Sequence, residues 1–478
     1  MYRATHRTER RAADAGRSVD WPVVAGTERE KYAAQVRQVE AAIFGRRGEG
    51  HVHPTNERMQ ALVGLLGDPQ QAFRGIHLTG TNGKTSTARM IDELLRGFGL
   101  RTGRYTSPHL SSVTERIVVD GAPVSDRTFV EAYRELAPYI ELIDGQFDVP
   151  LSFFEIMTGL AYTIFADTPV DVAVVEVGMG GAWDNTNVLD AEVAVVTPID
   201  LDHTQYLGTT IDAIAGEKAG IIKAGATALL AAQPPEAAEQ LLRRAATVGA
   251  AVAREGLEFG IIERQVAVGG QVLTLQGLGG VYDEVFLPLH GAHQAQNAAL
   301  ALAAVEAFLG VDADSGSLDA EIIRAAFAAV RSPGRLEAVR SAPTILLDSA
   351  HNPHGVAASI AAVDEAFDFR RLVAVVAVLS DKDVTGMLER LEPVVDELVV
   401  TQNSSERAVP ADRLAAAAVE LFGADRVTVE PRLDNALETA VRLAEETGDD
   451  LLSGTGVLVI GSVVTAGEAR LLLAGPAT

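Results

Sequence analysis

From about Glu28 apolar residues recur at three- and four-residue spacing, with Ala33, Val36, Val39, Ala42 and Ile43 on one face, and predict a helix that Gly45 to Gly50 ends. A second helix over 56–66 stops at Gly67 and Pro69, and 76–79 reads as a short strand running into Gly80. Further apolar runs at 173–177, 193–197 and 228–231 alternate with helical patterns over 154–165 and 211–222. Alternation of this kind predicts an α/β fold, a mostly parallel sheet with helices on both faces. Residues 252–288 change character: many glycines and the alternation Gln271-Val272-Leu273-Thr274-Leu275 predict an accessory antiparallel sheet. An Ala-rich helix over Ala292–Leu309 and another over 318–330 lead to Arg331-Ser332-Pro333-Gly334-Arg335, where Pro and Gly break the pattern. Beyond it, strands at Thr344–Leu347, 372–379, 397–400 and 456–460 with helices between them predict a second, smaller, Rossmann-like α/β domain. The division expected is a flexible tail over 1–27, a P-loop domain over 28–332 and a C-terminal domain over 333–478.

Composition narrows the partners. The chain has 478 residues, 40 Lys plus Arg against 65 Asp plus Glu, and a net charge of −25. Coating a nucleic acid takes clustered Lys and Arg to neutralise phosphates, so this excess of acid argues against it. No cysteine is present, which excludes disulfides, thiolate metal sites and cysteine nucleophiles. The longest apolar runs, such as 373–379, fall far short of the ~20 residues of a membrane helix. Residues 1–20 carry five arginines, three acidic residues and no apolar core, so they do not read as a secretory signal. The expectation is a cytoplasmic monomer with neither a nucleic-acid nor a membrane partner.

Candidate chemistry gathers at strand ends. Gly80-Thr81-Asn82-Gly83-Lys84-Thr85-Ser86 follows a strand and opens a helix, the context of a phosphate loop. Backbone N–H groups and the helix N-terminus favour an anion there, Lys84 can reach the β/γ-phosphates and Thr85 can hold Mg²⁺. The loop is the short form G-x-x-G-K-T, since Leu78 stands where the longer pattern has its first Gly. Glu176 ends another strand at the same sheet edge. Gly178-Met179-Gly180-Gly181 follows it but fails the dinucleotide fingerprint G-x-G-x-x-G, because Trp183 occupies the third position. His203, beyond the strand ending at Thr197, offers an imidazole near that carboxylate, an arrangement open to Mg²⁺ or, as a substitute, Mn²⁺. Lys218 shares a helix face with Ile211, Ile214 and Ala215; it either snorkels to solvent or is held in the site, where burial favours its neutral, modifiable form. Asp348 to Pro353, Ser380 to Asp383 and Gly461-Ser462 each follow a strand of the second domain. Two strand-edge faces that meet over a cleft account for all of these clusters together.

Taken in order, these residues resemble the Mur ligase superfamily, and within it the dihydrofolate synthase/folylpolyglutamate synthase family. The matching segments are Gly80 to Lys84, Thr106 to Leu110, Phe154-Glu155, Val175 to Gly181 with Asp184 to Asn187, Leu201 to Thr204, Glu217 to Ile221, His293 to Asn297, Pro333 to Arg335, Asp348 to Pro353 and Ser380 to Asp383. The resemblance spans roughly residues 30–470. It implies an ATP-dependent ligase that activates a folate-type carboxylate as an acyl phosphate and joins it to L-glutamate, acting on dihydropteroate and on reduced folates. By resemblance, Lys84 and the loop residues Gly80, Thr81, Asn82, Gly83, Thr85 and Ser86 bind ATP, joined by Asn297, Arg335 and Asp348. Thr85, Ser107, Glu176 and His203 would serve two Mg²⁺ sites, with Lys218 as a carbamate; Lys84, Lys218, His203 and Glu176 would be the catalytic set. Ser152, Phe154, Asp184 and Asn185 are the implied pterin contacts, and His351 and Ser462 the glutamate contacts. Two departures stand out: Thr85-Ser86 follows Lys84 where the family commonly has Gly-Ser or Gly-Thr, and Ala182-Trp183 replaces the usual Arg-Leu, leaving an indole where an arginine contact is common. The alternatives are a folylpolyglutamate synthase without the first activity, a Mur ligase acting on a UDP-linked precursor, or a nucleotide-dependent switch without ligase chemistry. Only about 50 ordered residues precede Gly80, too few for the nucleotide-sugar domain of the UDP-linked enzymes.

Overall fold

The computed structural model describes residues 27–46, 53–312, 314–446 and 454–473. Of the expected tail only residue 27 lies inside these limits, and the Gly-rich turn is described only for Gly45 and Arg46.

Short β-branched runs form the centre of the main sheet. Its strands are β1 (Arg74–Thr79), β2 (Thr102–Tyr105), β3 (Ile117–Val119), β4 (Ala122–Pro123), β5 (Val172–Glu176), β6 (Val193–Val196), β7 (Thr227–Leu230) and β8 (Ala251–Arg254), in the order β4-β3-β2-β5-β1-β6-β7-β8. All pairings from β2 to β8 are parallel; β3 and β4 close one edge antiparallel. Every residue of β5 and β6 is buried, as expected where helices cover both faces. Val172 and Val174 pack toward the helices Lys84–Gly97 and Ala292–Leu309, whereas Ala173 and Val175 pack toward the helix Phe153–Asp167. The period-2 geometry of the strand thus feeds two separate cores.

The accessory antiparallel sheet comprises β9 (Gly260–Ala267), β10 (Gly270–Gln276) and β11 (Val281–Leu287), in the order β11-β10-β9. The pattern over 252–288 differs from expectation at its start, because Ala251–Arg254 joins the main sheet as a parallel edge strand. The third sheet holds β12 (Glu337–Ser341), β13 (Thr344–Leu347), β14 (Arg371–Val376), β15 (Glu397–Gln402), β16 (Val427–Arg432) and β17 (Thr455–Ile460), in the order β12-β13-β17-β14-β15-β16. Only β12 is antiparallel. Two other boundaries shift. The helix expected over 211–222 ends at Lys218 and continues as a 3-10 turn, Ala219–Ile221, and the strand expected over 372–379 ends at Val376. Apolarity persists past both ends, because these loops are themselves buried. Among the described residues no helix is long and apolar enough to cross a membrane.

Candidate active site

β1 lies at the middle of the main sheet, so the loop after it opens at the carboxyl edge shared with β5 and β6. The loop is built for glycine. Gly80 and Gly83 have φ of +143° and +92°, and a Cβ on Gly83 would sit 2.5 Å from Asn297 Oδ1. Asn297 therefore touches the loop from the helix Ala292–Leu309. Lys84 Nζ donates to the carbonyls of Gly80 and Thr81 at 3.0 and 3.2 Å. Burial pulls its pKa down, against the opposing charges of Glu176 and Asp202. Thr81 is an anchor: its hydroxyl donates to Asp200 O and accepts from Asp200 N–H, both at 2.9 Å. Ser86 also turns from the loop; its hydroxyl meets that of Ser332 at 3.2 Å and accepts from Gln294 Nε2 at 3.4 Å.

Glu176, 2% exposed, receives the Thr85 hydroxyl on both carboxylate oxygens at 3.0 Å and the Ser107 backbone N–H at 3.3 Å. Burial raises its pKa while Lys84 and Thr85 lower it. Lys218 is 4% exposed and donates to Gly80 O at 2.8 Å, so two lysines share one carbonyl. Burial, reinforced by Lys84, brings Lys218 down to about 7. It is the buried alternative, and not snorkelling, that holds. His203 caps the short helix Thr204–Leu207 with φ of +51°, and burial lowers its pKa to about 3, leaving a neutral imidazole. A hydroxyl, a carboxylate and a neutral imidazole are a donor set that suits a hard divalent cation. No group of three His, Cys, Asp or Glu converges among the described residues, so such an ion would draw the rest of its shell from hydroxyls, phosphate and water.

Several expected contact residues have their polar atoms engaged within the protein. Asp348 accepts from Leu336 N–H, Ala350 N–H and the Ser359 hydroxyl, at 2.9, 2.8 and 2.9 Å, and so fastens the open end of the β12–β13 hairpin. Ser462 accepts from Asn403 Nδ2 at 3.1 Å and from Thr465 N–H at 3.0 Å, and its hydroxyl meets that of Thr465 at 2.8 Å. Asp184 takes Met179 N–H on one oxygen, and Thr186 N–H and hydroxyl on the other. Thr186 is held in turn by His77 Nε2 of β1 at 2.8 Å. Ser152 caps the helix Phe153–Asp167 in a capping box with Glu155. Phe154 lies with its ring centroid 5.9 Å from that of Tyr105. His351 Nδ1–H donates to Ser349 O at 3.0 Å.

A single cavity of about 930 Å³ is lined by the loop residues Gly80 to Ser86, Ser107, Ser152, Phe154, Glu176, Asp184, Asn185, His203, Lys218, Asn297, Arg335, Asp348, His351 and Ser462. Every expected site residue lines it, from both sheets. The sequence reading missed Asp202, which joins the two sides: it accepts from Lys382 Nζ at 2.8 Å and Asn352 Nδ2 at 3.2 Å, and lies 3.7 Å from His351 Nε2. Burial works to raise the Asp202 pKa, but His351, His203 and Lys382 outweigh it and hold the group well below the usual carboxylate range. Asn82 crosses the same gap to Asn352 and His354, at 3.2 and 3.0 Å. The adjacency of Asp202 to His203 was the available signal, as was the placement of Lys382 after a strand.

Residues 155–305 match the family model of the Mur ligase middle domain, and residues 334–463 that of the Mur ligase glutamate ligase domain. The chain is 51% identical over 458 residues to the dihydrofolate synthase/folylpolyglutamate synthase of Mycobacterium tuberculosis, covering 92% of this chain and 94% of that one. A structure of Mycobacterium tuberculosis folylpolyglutamate synthase complexed with ADP and AMPPCP aligns with a TM-score of 0.88 at 51% identity, over 93% of this chain and 99% of the other. That of E. coli FolC in complex with DHPP and ADP aligns with a TM-score of 0.77 at 28% identity, over 92% and 98%. With the loop, the Thr85–Glu176 contact and the cleft between two sheets in the same chain, this protein belongs to the dihydrofolate synthase/folylpolyglutamate synthase family of Mur-type ATP-dependent ligases.

Proposed function

We propose that the protein adds L-glutamate to dihydropteroate and to reduced folates and folylpolyglutamates, using ATP. The observation that carries this is a single cavity lined both by the phosphate loop with Thr85, Glu176 and Lys218 and by Phe154, Trp183 and Asn185. In the first half-reaction a substrate carboxylate oxygen attacks the γ-phosphorus of ATP; ADP leaves and an acyl phosphate remains. In the second, the neutral amine of glutamate attacks the acyl carbon, loses a proton, and phosphate leaves as the amide forms. Charge on the transferring phosphoryl group dominates the barrier. Lys84 and the loop N–H groups meet it on one side, and Arg335, at the junction of the two domains near residues 332 and 333, on the other. Asn297 borders the nucleotide, while Asp348 acts by holding, through Leu336 N–H, the segment that carries Arg335 into the β12–β13 hairpin. Thr85, Ser107, Glu176 and His203 would hold Mg²⁺, which when bound neutralises phosphate charge. A pKa near 7 leaves Lys218 with a large neutral fraction at neutral pH, the form to which CO₂ adds, and a carbamate there would turn an ammonium into a further oxygen ligand. Phe154 and Asn185 face the pterin, Ser152 and Asp184 hold the segments that carry them, and His351 and Ser462 border the glutamate side. A monomer in the cytoplasm completes the reading.

A coupled ADP-release assay with single omissions tests it. Release is expected only when ATP, Mg²⁺, glutamate and either dihydropteroate or a tetrahydrofolate are all present. ATP hydrolysis indifferent to folate and glutamate would sink the ligase reading, and inactivity with dihydropteroate alone would remove its first half.

A further inference from the structure

Asn82-Gly83 is the one Asn-Gly dipeptide in the chain, and it lies in the phosphate loop. Asparagine before glycine is a chemically labile pair, because no side chain shields the next backbone nitrogen and the glycine backbone turns freely. The fold nevertheless fixes both residues. Gly83 has φ of +92°, and a Cβ on it would lie 2.5 Å from Asn297 Oδ1, so the loop requires glycine. Asn82 spans the cleft: its Nδ2 donates to Asn352 Oδ1 at 3.2 Å and to His354 Nδ1 at 3.0 Å, and its Oδ1 accepts from Asn352 Nδ2 at 3.1 Å. Each of these partners belongs to the C-terminal domain. Asn352, 4% exposed, is itself fixed: its Oδ1 accepts from Gly355 N–H at 2.8 Å as the cap of the helix Pro353–Ala366, and its Nδ2 donates to Asp202 at 3.2 Å. An amide held at both its oxygen and its nitrogen cannot swing its carbonyl carbon onto the Gly83 nitrogen. Polar contacts between domains open readily, and opening releases all of these holds together.

We propose that Asn82 is a modification site, deamidated only when the cleft opens. In the open form the Gly83 nitrogen attacks Asn82 Cγ and gives up its proton; the Cγ–Nδ2 bond breaks and the side-chain nitrogen leaves as ammonia. Water then opens the resulting succinimide at either carbonyl, which leaves an aspartyl or an isoaspartyl residue. The change runs one way. A carboxylate has no N–H for Asn352 Oδ1, it shares Asn352 Nδ2 with the Asp202 carboxylate, and it puts a negative charge in the cradle meant for phosphate. Opening thus permits the reaction and the reaction opposes closing, so the enzyme ages fastest without nucleotide. The protection by nucleotide rests on the ATP reading of the loop.

The test is storage of the full-length enzyme at mildly alkaline pH in heavy-oxygen water, with mass mapping of the peptide that contains Asn82. Label is expected there, and its entry should be about tenfold slower with ADP and Mg²⁺ at about ten times the ADP dissociation constant. Asn352→Ala removes two of the three contacts and should speed labelling; Asp202→Asn should act in the same direction. Asn82→Asp, the product made directly, should bind ADP at least about tenfold more weakly in calorimetry. An Asn82 peptide that stays unlabelled in the nucleotide-free enzyme, while a urea-unfolded sample takes up label, would overturn the site. Labelling at one rate with and without bound ADP would overturn the gating, whether or not N352A folds. Fresh enzyme that does not bind ADP would overturn the ATP reading itself, which is a separate outcome.

Discussion

At the scale of single residues the decisive group is Lys218. Its ammonium is buried beside Lys84 and its pKa falls to about 7. A lysine depressed in the fold adds its full stability only above the unfolded pKa near 10.4, and loses it as pH falls toward 7. At pH 7 the penalty in CO₂-free protein is on the order of 4 kcal/mol, part of it offset by the hydrogen bond to Gly80. Lys218→Met should therefore be more resistant to urea than the wild type at pH 7, with the gap closing toward pH 10, while glutamate incorporation falls by about 100-fold or more. A methionine variant that is the weaker protein at pH 7 would show that the ammonium is well solvated after all. The apolar helix face of Ile211, Ile214 and Ala215 placed Lys218 on the inward side in the sequence but left snorkelling open, and the structure decides for burial. That Lys84 shares the same carbonyl was not visible, because 134 residues separate the two lysines along the chain.

At the scale of elements, the helix Phe153–Asp167 shows how local and distant signals combine. Ser152 and Glu155 form a capping box readable from four consecutive residues. The same Glu155 receives the buried fork of Arg58 from the helix Glu57–Leu65, ninety-seven positions away. Removing one member of such a pair strands the other charge without water. Glu155→Ala should cost about 3–5 kcal/mol in equilibrium unfolding, well beyond the ~1 kcal/mol of a lost cap. A loss of only ~1 kcal/mol would mean that Arg58 finds solvent or another partner. Strands followed the same division. β5 and β6 were legible as apolar runs because both their faces are covered, whereas β2, with the sequence Thr-Gly-Arg-Tyr, carries no such signature. β2 is a strand because β5 pairs it on one side and β3 on the other.

At the scale of the whole molecule, the two sheets meet through polar bridges rather than through a continuous apolar core. Asp202 and Lys382 are 10% and 7% exposed, and Asn82 pairs with Asn352 and His354. Arg264 of β9 donates to Glu365 of the helix Pro353–Ala366 at the rim. Interfaces of this kind open readily, since water replaces each lost contact. Asp202→Asn should loosen the closed arrangement, because it removes the carboxylate that balances Lys382. The nucleotide-free variant is expected to show a larger radius of gyration by small-angle scattering, and a wild-type value would assign closure to the other bridges. The surplus of 25 negative charges does not exclude anionic substrates, because Lys84, Lys382, Arg335 and the loop N–H groups concentrate positive charge within the cleft. From its sequence alone the chain determined its α/β class, its phosphate loop, and which residues lie at strand ends, since these follow from short-range periodicity and from the backbone needs of a tight turn. Only the tertiary structure decided which strand ends meet. Pairing order in a parallel sheet joins segments a hundred residues apart, so the bridge from Asp202 to Lys382 and the pairing of Arg58 with Glu155 exist only once the sheets have closed around one cavity.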